Sequence, residues 1–121
     1  MNPLAGLQYV VTICAASPGN AGLLHLTARH TIADDGSFSS EVLGGPSGTQ
    51  PDLRPSGRVE LIAEQGESLI FQSTVDGDET PSTVVLTLHS ASAGEVFSAY
   101  GGEWVRGVAA IESLPAVAHD H

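Results

Sequence analysis

The chain has no lysine, and its four arginines (Arg29, Arg54, Arg58 and Arg106) stand against fourteen carboxylates, for a formal charge of −10. Binding a nucleic-acid backbone needs clustered cations that displace its counterions, and an anionic membrane makes the same demand, so neither is an expected partner. The acidity either serves solubility through self-repulsion or steers a cationic partner. Cysteine is almost absent as well, since Cys14 stands alone. That excludes an intramolecular disulfide and a cysteine-rich metal site, and it favours a reducing, cytoplasmic setting. Phosphate-loop, dinucleotide and nucleophile-elbow motifs are missing, so no cofactor is expected and hydrolase chemistry has no support. Residues 4–16 are apolar but too short to cross a bilayer. They carry no positive residue ahead of them and are interrupted by Gln8 and Thr12, so they read as a first strand rather than a leader.

What is present is a pattern of β-branched and aromatic residues in runs of six to ten, bounded by Gly, Pro, Asp and Ser. At 121 residues the chain has room for one domain and one core, which we place at residues 1–114, with a loose tail over 115–121. Eight strands are expected, over 8–15, 23–33, 37–43, 57–63, 67–75, 83–91, 95–100 and 103–113. The segment 44–56, with Pro46, Pro51 and Pro55, is the one long loop.

Turn chemistry fixes which residues share a face. A three-residue loop Asp34-Asp35-Gly36, with the glycine left-handed, sets Ile32 opposite Phe38 and Ala28 opposite Val42. Leu24, Leu26, Ala28, His30 and Ile32 then point inward with Phe38, Ser40 and Val42, while Arg29 meets Glu41 on the wet side. A loop Glu64-Gln65-Gly66 groups Val59, Leu61 and Ala63 with Leu69, Phe71, Ser73 and Val75. Tyr9, Val11, Ile13 and Ala15 form another inward stripe, as do Val84, Leu86, Leu88 and Ser90. A Gly101-Gly102 hairpin groups Val96, Ser98 and Tyr100 with Glu103, Val105, Gly107, Ala109 and Ile111, leaving Phe97, Trp104 and Arg106 on the other face.

Eight antiparallel strands in sequential order tend to close, because closure removes exposed edges. The expected architecture is an eight-stranded antiparallel up-and-down barrel; the alternative is a two-sheet sandwich. In strand count and connection the chain resembles the calycin barrels, the avidin-like and lipocalin-like proteins, and also small barrel cyclases. No motif accompanies that resemblance, so it implies no site residue.

An eight-stranded barrel is either filled by its own side chains or holds one small ligand. Many inward positions here are small: Ala15, Ala28, Ser40, Ala63, Ser73, Ser90, Ser98, Gly107 and Ala109. The expectation is a cavity for a small, largely apolar molecule, walled by Tyr9, Phe38, Phe71 and Trp104, with His30, Ser40, Ser73, Ser98 and Tyr100 orienting it. His30, inside an apolar stripe and opposite Ser40, is the one candidate catalytic residue; its alternative role is a core histidine held by one hydrogen bond. His119, Asp120 and His121 make an apparent metal tail without preorganised geometry, and Asp76-Gly77-Asp78-Glu79 lacks EF-hand spacing and reads as a turn. No metal site is expected. Three functions follow: a binding barrel, a cofactor-free cyclase or isomerase of the same shape, and a homo-oligomer assembled through outward Ile62, Ile70, Val85, Phe97 and Trp104.

Overall fold

The computed structural model describes residues 2–45, 56–77 and 80–115. Its strands are β1 (Gln8–Ala16), β2 (Thr27–Ile32), β3 (Ser37–Gly44), β4 (Ser56–Gln65), β5 (Ser68–Val75), β6 (Ser82–Leu88), β7 (Ala93–Tyr100) and β8 (Glu103–Ser113). Each pairs with its sequence neighbour, and β1 pairs with β8, so the sheet closes into an up-and-down, calycin-like barrel rather than splitting into a sandwich. Every ladder is antiparallel. Among the described residues the shortest ladder is β3 with β4, where Ser37, Phe38 and Ser39 of β3 find partners.

The first hairpin has the expected register, with Ile32 opposite Phe38, His30 opposite Ser40 and Ala28 opposite Val42. Gly36 takes a left-handed φ of 86°. The Asp35 carboxylate accepts hydrogen bonds from the Ser37 hydroxyl and backbone N–H, which hold its pKa below the usual value. At the other end of the sheet, Gly101 and Gly102 form the expected two-residue turn, both with positive φ, and Tyr100 faces Glu103.

Four expectations need correction. The β4–β5 loop is Gly66-Glu67, with Gln65 opposite Ser68, and an irregularity between Leu61 and Ala63 restores the inward parity of Leu61, Val59, Phe71 and Ser73. Ala63 is therefore set opposite Ile70, on the outward face, and is half-buried instead of inward. A second irregularity, between Ile13 and Ala15, leaves exposed Cys14 unpaired and sets Ala15 opposite outward-facing Arg106, so the inward stripe of β1 ends at Ile13. The strand expected to begin at residue 23 begins at Thr27, because Pro18–Leu23 forms a 3-10 helix and His25 turns the chain with a φ of 71°. Strand β6 stops at Leu88, which leaves Ser90 exposed in a bend. Of the tail expected to be loose, Pro115 is fully buried; residues 116–121, including the His119-Asp120-His121 group, lie outside the described residues, as do Asp78, Glu79 and residues 46–55 of the long loop.

The core is not evenly distributed along the barrel. Leu4 and Leu7, both wholly buried, enter the end formed by the β2–β3, β4–β5 and β6–β7 turns, where they join Leu69, Leu86 and Leu114. The plug is held by backbone bonds from Gly6 to the Ile32 carbonyl and from Ile32 to the Leu7 carbonyl. That end is closed. Curvature depends on three inward glycines: a Cβ on Gly57, Gly94 or Gly107 would collide with the carbonyl of Thr74, Thr87 or Thr12 on the neighbouring strand. Glycine at such a corner lets adjacent backbones approach and the sheet coil. Gly107→Ala is accordingly expected to destabilise the fold by about 2 kcal/mol, the usual scale of overpacking. Gly22→Ala, where an added Cβ meets nothing within 4 Å, should leave the urea midpoint almost unchanged.

Candidate functional site

Alternation along the strands sends one side chain in two to the interior, and the inward residues change in size from the closed end to the open one. Toward the β1–β2, β3–β4, β5–β6 and β7–β8 connections they are small: Ala28, Ser40, Gly57, Ser73, Ser82, Ser98 and Gly107. The result is a cavity of about 300 Å³ whose lining is dominated by Val, Ile, Leu and Phe side chains. Phe71, 2% exposed, and Ile32 close its inner part, and Leu26, Val42, Val75 and Val105 stand toward its mouth. Among the described residues, no Asp, Glu, Lys or Arg lines it.

Polar groups enter the cavity from two sides. On β1–β3, His30 Nδ1 lies 2.7 Å from Ser40 Oγ, and the Tyr9 ring sits 5.1 Å, centroid to centroid, from the imidazole with a 32° tilt. On β5–β7, Ser73 is paired with Ser82, and Ser98 with Val84, which brings three hydroxyls onto one wall. In a ring of eight, strands 1 to 3 face strands 5 to 7. The two polar groups therefore look at each other across an apolar space.

Burial sets the charge state. His30 is enclosed by the barrel and touches open space only through the cavity, and desolvation pushes its pKa down from 6.5 to about 4. The imidazole is neutral at pH 7. Burial likewise raises the Tyr9 phenol far above its normal pKa, so it remains a protonated donor. A neutral imidazole with one nitrogen held by a serine can accept or donate one hydrogen bond at Nε2, according to its tautomer. Among the described residues no group of three His, Cys, Asp or Glu gathers in a way that would hold a metal ion.

Of the residues singled out by sequence, Tyr9, His30, Phe38, Ser40, Phe71, Ser73 and Ser98 all line the cavity. Tyr100 and Trp104 do not. Tyr100 has inward parity but lies beyond the cavity at the tip of the β7–β8 hairpin, 45% exposed. Trp104, one residue before inward Val105, points outward and stacks on Phe97 with centroids 6.0 Å apart. Sequence reading missed Ser82, although it lies two residues before Val84 and so on the same face. It also missed the strap at the mouth, where the Ser17 hydroxyl and Gly19 N–H donate to the Glu103 carboxylate and the Asn20 amide donates to the Trp104 carbonyl. Ser17 is the only buried polar residue besides Ser40 among those described.

The lowered His30 pKa makes a signed prediction. Between pH 6.5 and about 4 the unfolded chain binds a proton at His30 that the folded chain refuses, so this contribution is full above pH 6.5 and is lost as pH falls toward 4. Its total is roughly 3 kcal/mol at 1.36 kcal/mol per pKa unit. Urea titrations across this range should show that slope in the wild type and its loss in His30→Phe, and the imidazole NMR shift should move with a midpoint near pH 4 instead of 6.5. No protein-family model matches this chain, and no curated protein or solved structure matches it significantly, so its site is read from its own geometry.

Proposed function

We propose that this barrel binds a small, largely apolar molecule in its mouth. The observation that carries the reading is the 300 Å³ cavity itself, apolar in its walls and supplied with a few convergent polar groups, which is the usual composition of a small-molecule site. A mainly structural core would be filled at native packing density. Here the small residues Ala28, Ser40, Ser73, Ser82 and Ser98 keep that volume open.

One arrangement supports a second reading, a cofactor-free cyclase or isomerase acting on a flexible apolar substrate in the same cavity. The neutral His30 imidazole, oriented by Ser40 beside Tyr9, is placed to hydrogen-bond or exchange a proton with a substrate held against it. Catalysis of that kind needs shape and a few placed hydrogen bonds. The outer face supports an oligomer in addition: Phe97, Val108 and Ile62 are 41%, 55% and 52% exposed, and the Phe97–Trp104 stack adds to the apolar surface of β7 and β8.

Native mass spectrometry of protein purified from its own host tests these together. The expected spectrum shows a small-molecule adduct released on denaturation, and the charge-state series reads the oligomer in the same measurement. Ser98→Phe, which fills the cavity from the serine wall, should fold and carry no adduct. An equal adduct on wild type and Ser98→Phe would place the ligand elsewhere. With the ligand identified, His30→Ala separates the first two readings: lost turnover with nearly intact affinity indicates an enzyme, whereas about tenfold weaker binding with no turnover in either protein indicates a carrier.

A further inference from the structure

The two polar walls restrict what the cavity accepts. We infer that its ligand is an uncharged lipophile carrying hydrogen-bonding oxygens at two opposite ends, held between Tyr9 and His30 on one wall and the serines of β5–β7 on the other. This rests on the reading of the cavity as a binding site.

Consider first which polar atoms are engaged. Ser40 occupies His30 Nδ1. Among the described residues, His30 Nε2, the Tyr9 hydroxyl and the hydroxyls of Ser73, Ser82 and Ser98 have no protein hydrogen-bond partner, yet no sealed side-chain polar atom is left unsatisfied. These atoms therefore open onto the cavity that their residues line. A wholly apolar ligand would cover them and leave them unpaired, at a cost comparable to a lost hydrogen bond for each. A ligand with one polar end would satisfy one wall and bury the other.

The described lining also favours a neutral ligand. Among the described residues an anion entering this space finds no cation, and a cation finds no carboxylate, because none of those that line it carries either. Transferring an unpaired ion into such a site is strongly unfavourable. The apolar floor of Ile32, Phe71 and Val59 and the flanking Val84 and Val96 match a hydrocarbon body between the two oxygens. A cavity of about 300 Å³ is at the small end of the range for small-molecule sites, which suits a ligand at the scale of a bicyclic ring system.

A matched series of rigid probes tests this by fluorescence titration at pH 7: naphthalene, 2-naphthol, 2,6-dihydroxynaphthalene and the anion 6-hydroxy-2-naphthoate. Partition from water into an apolar cavity ranks naphthalene first. The two-walled site reverses that order, with 2,6-dihydroxynaphthalene binding about tenfold or more tighter than naphthalene, 2-naphthol between them, and the naphthoate weakest. His30→Phe and, separately, the triple variant Ser73→Ala, Ser82→Ala, Ser98→Ala should each bring the diol down to the affinity of 2-naphthol while leaving naphthalene unchanged. Naphthalene binding as tightly as the diol would overturn the two-ended ligand and leave the apolar binding site standing. A tighter naphthoate would overturn its neutrality. If none of the four binds at millimolar concentration, the binding-site reading itself fails. The wild-type ranking alone separates these outcomes, so a variant that does not fold leaves the test intact.

Discussion

The pairing of β1 with β8 is the contact on which the remaining structure depends. It spans eight residue pairs, from Gln8 with Ser113 to Ala16 with Val105, and it turns an open meander into a closed ring. Gly107 allows it, because only a residue without Cβ fits against the Thr12 carbonyl at that crossing. Outside the ring, Glu112 accepts hydrogen bonds from Arg29 and Gln8, with Arg29 Nε 2.7 Å away, and so joins β1, β2 and β8 at the closed end. This ion pair is partly exposed and adds little by itself. The ladder and its apolar lining provide most of the closure.

Once the ring is closed, every second residue must occupy a shared interior, and side-chain size becomes the variable that divides it. Leucines from the N-terminal turn and from β5 and β6 fill one end, while serines, alanines and glycines at the other leave a cavity. The same division sets the chemistry. Among the described residues, Ser73, Ser82 and Ser98 stand where volume is open and need no buried protein partner, and His30 takes one from Ser40. Desolvation then keeps both His30 and Tyr9 neutral. In a strongly acidic chain, none of the described residues that line the cavity carries a charged side chain.

Much of this is legible in residue order. Two signals agree for the first hairpin, the apolar stripe and the position of Gly36, and together they set His30 opposite Ser40. The Gly101-Gly102 turn works in the same way. The β4–β5 hairpin shows how far such reading goes: the face of Val59, Leu61, Phe71 and Ser73 is as expected, but the loop is not, because an irregularity at Ile62 shifts the partners and takes Ala63 off the inward face. Trp104 carries two conflicting signals. Its parity places it outside, its size invites a role in the cavity, and parity prevails.

By itself, then, the order of residues determined the all-β class, the sequential pairing, the inward set on most strands and the placing of His30 opposite Ser40, since these follow from a period of two and from local turn geometry. The plug of Leu4 and Leu7, the turning of Ala15 out of the wall at the Cys14 irregularity, the strap at Ser17–Asn20 and the facing of His30 toward the serines of β5–β7 were decided only by the tertiary structure. Each depends on contacts between segments distant in the chain, which closure of the ring brings together and no local pattern encodes.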